Sequence, residues 1–283
     1  MSRRQLLAGA GALFVIASCG DDSQTSSSAE PDPGTTGFTV LSRAPNGTLV
    51  PGKVRIPVSL GSKGSLLQSG PGTLNGRLLD GNDQQIATVS AGIRSTDMAI
   101  PYWPFNLQID KPGNYTLRID GDDGFGAAFQ ISDPATVVVP YVGTVIPPFD
   151  TPTVDDHRGV EPYCTLSPKP CPFHDVTLTQ AMAGSKPVGY MIGTPAHCQT
   201  GVCAPALEFL VKSHERLGDK LTLVHADVYT DDTATTIAPA VEALGLEYEP
   251  VLYLCAPGGE VRDRIDVIWD QSELDERLDT FLS

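Results

Sequence analysis

Polar and apolar positions alternate in short runs from Gly37 to about Pro140, and turn chemistry separates the runs. Residues 54–60, 76–80, 106–110, 115–119 and 128–131 read as strands, because a period of two places alternate side chains on opposite faces of a sheet. Glycine-, proline- and asparagine-rich turns stand between them, around Pro45, Gly81, Pro112 and Gly121, and no helical period interrupts the series. The pattern predicts an all-β antiparallel sandwich over residues 37–140. From Asp175 onward the texture changes. A short helix over 176–183 is stopped by Gly184, a strand follows over 187–192, and a helix runs from about 204 to 217 and ends at Gly218. Next come a strand over 221–229, a helix over 233–244, strands over 251–255 and 260–269, and a helix over 272–282. That order predicts an α/β unit over 175–283, a mixed sheet with helices on both faces.

Residues 141–174 join the two units. Their proline density can sustain neither a helix nor a central strand. The segment carries Cys164, Cys171 and His174. A structural disulfide between Cys164 and Cys171 would pin the entry to the second unit, and it is the expectation here. The alternative is a zinc site of Cys164, Cys171, His174 and His157, although these spacings match no common zinc module. The overall expectation is therefore no metal and no cofactor.

The first residues change the picture of where such a protein works. Arg3 and Arg4 precede an apolar stretch over 8–17, which ends in Ser18-Cys19. A basic start, a short apolar stretch and small residues describe an export signal over 1–18, too short for a membrane span of about 20 residues. Ile16-Ala17-Ser18-Cys19 resembles the bacterial lipobox, which implies lipidation of Cys19. Ser2-Arg3-Arg4-Gln5 resembles a twin-arginine export signal. Residues 19–36 are polar and lack any apolar period, so they read as a lipidated tether. The expected location is the extracytoplasmic face of a bacterial cell membrane, with the lipid as the only anchor.

The formal charge is −15, from 19 basic and 34 acidic side chains. Nucleic acid and anionic lipid surfaces need clustered Lys and Arg, so neither is an expected direct partner. The candidate chemistry lies in sulfur. Besides Cys19 the chain has Cys164, Cys171, Cys198, Cys203 and Cys255. Two close pairs suggest themselves, 164 with 171 and 198 with 203, though spacing alone does not prove connectivity. Cys198 and Cys203 lie between a predicted strand and a predicted helix. A cysteine there faces unpaired N–H groups and the positive end of the helix dipole, which favour the thiolate. His197 can add positive charge when protonated.

Two resemblances follow from particular residues. Asp110, Gly113 and Tyr115 fit the tyrosine corner of immunoglobulin-like domains, in which the phenol folds back onto the backbone. Residues 244–261, which contain Glu249-Pro250, together with residues 220–228 and the cysteine turn, resemble the thioredoxin fold. That resemblance covers roughly residues 172–283. It implies a cis-proline at Pro250 lying against the redox cysteines, with Cys198 as nucleophile and Cys203 as resolving thiol. Three features depart from the family pattern. Four residues rather than two separate the cysteines, Ile192 occupies the place of a buried aspartate, and Glu249 replaces an apolar residue before the proline. A carboxylate there would raise the thiol pKa and oppose attack.

Three functions fit these residues. The first is a thiol–disulfide oxidoreductase or redox-responsive protein that uses Cys198, Cys203, His197 and Pro250, with an exported protein thiol or disulfide as partner. The second is a binding or scaffold module in which Cys198–Cys203 is a permanent staple. The third is a Cu(I)-handling protein in which His174 or His225 joins the cysteine pair. Among the remaining residues, His225 reads as packed or hydrogen-bonded, Cys255 as a buried inert thiol, and His214 as solvated. Trp103 and Trp269 read as core or edge anchors.

Overall fold

The computed structural model describes residues 37–283, so the export signal, Cys19 and the tether lie outside the described residues. Eight strands form the first part: β1 Thr39–Ser42, β2 Gly52–Ser62, β3 Ser65–Leu66, β4 Thr73–Leu79, β5 Gln85–Gly92, β6 Trp103–Ile109, β7 Gly113–Ile119 and β8 Ala127–Ile131. They make two four-stranded antiparallel sheets. One has the order β1-β2-β3 with β6 also pairing β2, and the other the order β5-β4-β7-β8. The alternation read from sequence sets the faces: in β8, Ala127, Phe129 and Ile131 are buried and the two residues between them are exposed. Ile56, Val58, Trp103, Phe105 and Leu117 fill the space between the sheets. Tyr115 donates its hydroxyl to Lys111 O at 2.9 Å, which closes the corner that Asp110, Gly113 and Tyr115 predict.

The second part contains α1 Leu178–Ala183, β9 Val188–Ile192, α2 Cys203–Leu217, β10 Thr222–Ala226, α3 Pro239–Glu242, β11 Val251–Cys255, β12 Val261–Asp266 and α4 Gln271–Leu282. The sheet order is β10-β9-β11-β12; β9 and β10 are parallel, and the other two pairings are antiparallel. The central strands β9 and β11 are buried at every position, as strands covered on both faces must be. Tyr190, Val224 and Tyr253 face α1 and α3. Met191, Leu223, Leu252 and Leu254 face α2 and α4. Helix α1 begins with a reciprocal cap, in which Thr177 Oγ1 accepts from Gln180 N and the Gln180 side chain accepts from Thr177 N. Among the described residues, no helix is long and apolar enough to cross a membrane.

The helix expected over 233–244 shrinks to Pro239–Glu242. Asp231 accepts from the Thr233 backbone and from the hydroxyls of Thr233 and Thr235, and Ala234 adopts a positive φ of 54°. Pro239 then starts the helix instead of continuing one, because it lacks an N–H and clashes with a preceding turn. The proline-rich segment is also more than a connector. Ile146 is buried on the α1/α3 side of the sheet, whereas Cys164, Cys171 and Phe173 are buried on the α2/α4 side. It therefore wraps the sheet from one face to the other.

A polar seam joins the sandwich to the α/β part. Arg55 of β2 meets Glu273 of α4 through two hydrogen bonds of 2.7 Å and also donates to Ile268 O at 2.6 Å. Tyr102 donates to Glu273 Oε2 at 2.5 Å and accepts from Asp270 N at 2.9 Å. Arg264 of β12 donates to Pro140 O and Thr48 O. Trp103 and Trp269 are both fully buried.

Candidate functional site

β9 ends at Ile192, and the chain turns through Gly193 to Val202 before α2 begins at Cys203. A disulfide joins Cys198 in this turn to Cys203, the first residue of the helix, with the Cα atoms 5.9 Å apart. That separation lies inside the usual range for a disulfide of about 4.4–6.8 Å. The longer spacing is accommodated because the loop carries Gly201 at φ 68°, which glycine adopts without steric cost. The two sulfurs differ in access. Cys198 is half-buried and Cys203 fully buried, so an incoming thiol meets Cys198 first.

Pro250 follows a cis peptide and lies beside this loop, where a Cβ added at Gly193 would come within 3.2 Å of the Pro250 ring. Glu249 offers a carboxylate oxygen within 4.8 Å of both sulfurs and accepts from Thr194 N at 2.5 Å. Burial pushes the Glu249 carboxyl up, against the opposing effect of that N–H. His197 sets its ring edge-on to Tyr229, with centroids 6.3 Å apart. Ile192, the last residue of β9, is buried and apolar. If Glu249 opposes the thiolate, Glu249→Gln lowers the Cys198 pKa in the reduced protein. The rate of alkylation against pH would show its midpoint move to lower pH, and an unmoved midpoint would mean that Glu249 is already protonated or screened.

A cavity of about 540 Å³ opens next to Cys198. One wall is Gln199 and Thr200 of the loop, another is Tyr229, Ile237 and Tyr248, and a third is Ser42, Arg43 and Ala44 from the sandwich. Burial lowers the Arg43 pKa from its ordinary value. Behind Cys198, Met98 and Tyr102 from the sandwich pack with Val202 and Ile268. The cysteine loop is thus bordered by sandwich residues at the cavity and again at Val202.

Cys164 and Cys171 are free thiols, so the disulfide expected between them is replaced by a different arrangement. The two are buried together with His174 and His225, and the four ligand atoms lie within 4.8 Å of one another. Cys164 Sγ is 3.7 Å and Cys171 Sγ 3.6 Å from His225 Nδ1, which is 3.2 Å from His174 Nε2. A hydrogen bond from Cys171 and the nearby imidazoles hold the Cys164 thiol well below its ordinary range, while burial pushes Cys171 up. His157, the fourth residue of the expected zinc alternative, lies elsewhere: it pairs with Glu161 at 2.6 Å and packs on Tyr163 at the surface. Neither His174 nor His225 joins Cys198 and Cys203, whose one neighbour with a metal-binding group among the described residues is Glu249.

His225 belongs to β10, where alternation turns positions 223 and 225 toward the α2/α4 face on which Cys164 and Cys171 pack. That alternation was the available signal; the approach of the proline-rich segment carried none. Sequence reasoning also missed Asp227, which is buried, accepts from Thr165 N at 3.0 Å and is pushed up by burial to about 7. Cys255 is buried as expected, and burial pushes its thiol up to about 12. His214 is half-buried rather than solvated, with its ring edge-on to Phe173. No family model matches this chain, and comparison with characterised proteins returns no match.

Proposed function

We propose that this protein is a thiol–disulfide oxidoreductase with a thioredoxin-like α/β part and an immunoglobulin-like sandwich, lipid-anchored at Cys19 on the outer side of a bacterial cell membrane. The observation that carries the reading is the Cys198–Cys203 disulfide, which spans the turn and the first residue of α2, with the more accessible sulfur beside the Glu249 carboxylate and an open cavity. The sheet order β10-β9-β11-β12 and the place of Pro250 against Gly193 support the resemblance drawn from residues 244–261.

In the reduced protein, the Cys198 thiolate attacks one sulfur of a partner disulfide. The partner S–S bond breaks, a Cys198–partner bond forms, and the other partner sulfur leaves as a thiolate. Cys203 then attacks Cys198 Sγ, which releases the second partner sulfur and restores the internal disulfide. Two electrons pass to the partner, and the reverse sequence oxidises a dithiol. The start of the fifteen-residue helix α2 stabilises the thiolates, and Glu249 opposes them.

The test is a redox titration of the full chain, read by differential alkylation and peptide mass. A reversible Cys198–Cys203 couple between about −270 and −120 mV is expected, the span of known oxidoreductases. A bond that stays oxidised below about −300 mV until the protein unfolds would make the pair a staple in a binding module and overturn the proposal.

A further inference from the structure

We infer that Cys164, Cys171, His174 and His225 form a tetrahedral zinc site, separate from the redox pair and independent of any activity assigned to it. The four side chains come from two remote pieces of chain, the proline-rich segment and strand β10. All are buried, both histidines completely.

Geometry is the first ground. Zn–S bonds of about 2.3 Å and Zn–N bonds of about 2.0–2.1 Å at tetrahedral angles give S···N edges of about 3.6 Å and an N···N edge of about 3.3 Å. The corresponding separations here are 3.7 and 3.6 Å for the sulfur–His225 pairs and 3.2 Å between the imidazoles.

The histidine tautomers are the second ground. His225 Nε2 lies 2.8 Å from Gly193 O, and His174 Nδ1 lies 3.2 Å from Pro152 O. A carbonyl only accepts, so each of those nitrogens carries its hydrogen. In the neutral rings, His225 Nδ1 and His174 Nε2 therefore present lone pairs to each other, and a cation between them removes the conflict. Metal-bound histidines are held in this way, with the outer N–H on a carbonyl or carboxylate. Asp227 Oδ1, 3.6 Å from His225 Nε2, adds a carboxylate behind that ring.

Charge selects the metal. Two thiolates and two neutral imidazoles around Zn²⁺ form an uncharged unit, which suits a site closed to water. Cu(I) in the same cage would leave one net negative charge buried, at substantial desolvation cost. With four protein ligands the site is closed to substrate. Its role is to fasten the proline-rich segment to β10, beneath Gly193 and the redox loop.

The test is metal analysis of the purified full chain, with native alkylation of its thiols. The expected result is about one zinc per chain, with Cys164 and Cys171 protected until the zinc is chelated. The cobalt-substituted chain should show the intense ligand-field bands of a tetrahedral thiolate site. Cys171→Ser and His225→Ala should lose the metal, whereas His157→Ala and the double variant Cys198→Ser, Cys203→Ser should keep it. Because ligand variants can fail to fold, Cys171→His supplies a second check: it should retain zinc with a shifted cobalt spectrum. Four outcomes would overturn the inference: a metal-free chain whose apo form takes up no added zinc, a Cys164–Cys171 disulfide by peptide mass, copper as the bound metal, or zinc lost with Cys198 and Cys203.

Discussion

Replacing Glu273 with alanine is expected to destabilise the protein by about 3–5 kcal/mol, the cost of leaving a buried charge without its partner. Arg55 and Glu273 are 8% and 5% exposed, so water cannot take over the lost contacts. The carboxylate accepts two hydrogen bonds from Arg55, one from Tyr102 and a longer one of 3.4 Å from Arg277. Without it, the Arg55 guanidinium keeps, among the described residues, its hydrogen bonds to the carbonyls of Asp266 and Ile268 and its place over the Tyr102 ring. A paired change, Arg55→Met with Glu273→Leu, removes both charges and should recover most of the loss, since apolar replacements of buried pairs are often neutral or better. Urea midpoints of the two variants and the parent protein decide the matter. A single-variant cost below about 1 kcal/mol would mean that the seam is hydrated in solution.

The same pair sets an acid limit. Burial alone would raise the Glu273 pKa, but the charge and hydrogen bonds of Arg55 outweigh it and hold the group at about 2. A folded-state pKa below the unfolded value contributes stability above the unfolded pKa and loses it as pH falls. That contribution, about 3 kcal/mol, is complete above about pH 4.5 and fades toward pH 2. In Glu273→Gln this part of the acid dependence should vanish.

Cys198→Ser is expected to reduce thiol–disulfide turnover by a factor of about 10³ or more, because no other described cysteine can replace it. Cys203 is completely buried, and Cys164, Cys171 and Cys255 are buried elsewhere. Cys203→Ser should behave differently. It keeps the accessible nucleophile and loses the resolving thiol, so a covalent mixed disulfide with the partner accumulates and can be identified by mass. Turnover retained in Cys198→Ser, or trapping through Cys203 instead, would reverse the assigned roles.

Five of the eight sandwich strands, β2, β4, β6, β7 and β8, and the order of the α/β elements were readable because each depends on local periodicity, whereas β1, β3 and β5 were not read. Residues 54–60 alternate as strand β2 requires, and the run from Val251 to Cys255 is strand β11 as read. The helix expected over 233–244 was misjudged because its composition is apolar enough for helix, yet Asp231 and Pro239 impose a turn and a late start. The Cys198–Cys203 bridge was legible from its position between strand and helix. The fate of Cys164 and Cys171 was not, since it depends on His225, 61 and 54 residues away. The seam lies beyond local patterns too. Arg55 reads as an outward polar residue of a strand, and its partner Glu273 lies 218 residues further on.

The proline-rich segment bears on how this architecture is inherited. A linker between independent modules can be cut and rejoined, so modules joined in that way recombine freely over evolution. Here residues 141–174 contribute buried side chains to both faces of the second sheet, and α4 shares an ion pair with β2. An exchange at residue 140 would strand Glu273 without Arg55, and one at residue 174 would strip Cys164 and Cys171 from His225. The sandwich and the α/β part can then be exchanged only together, since a break on either side of residues 141–174 leaves buried polar groups without their partners.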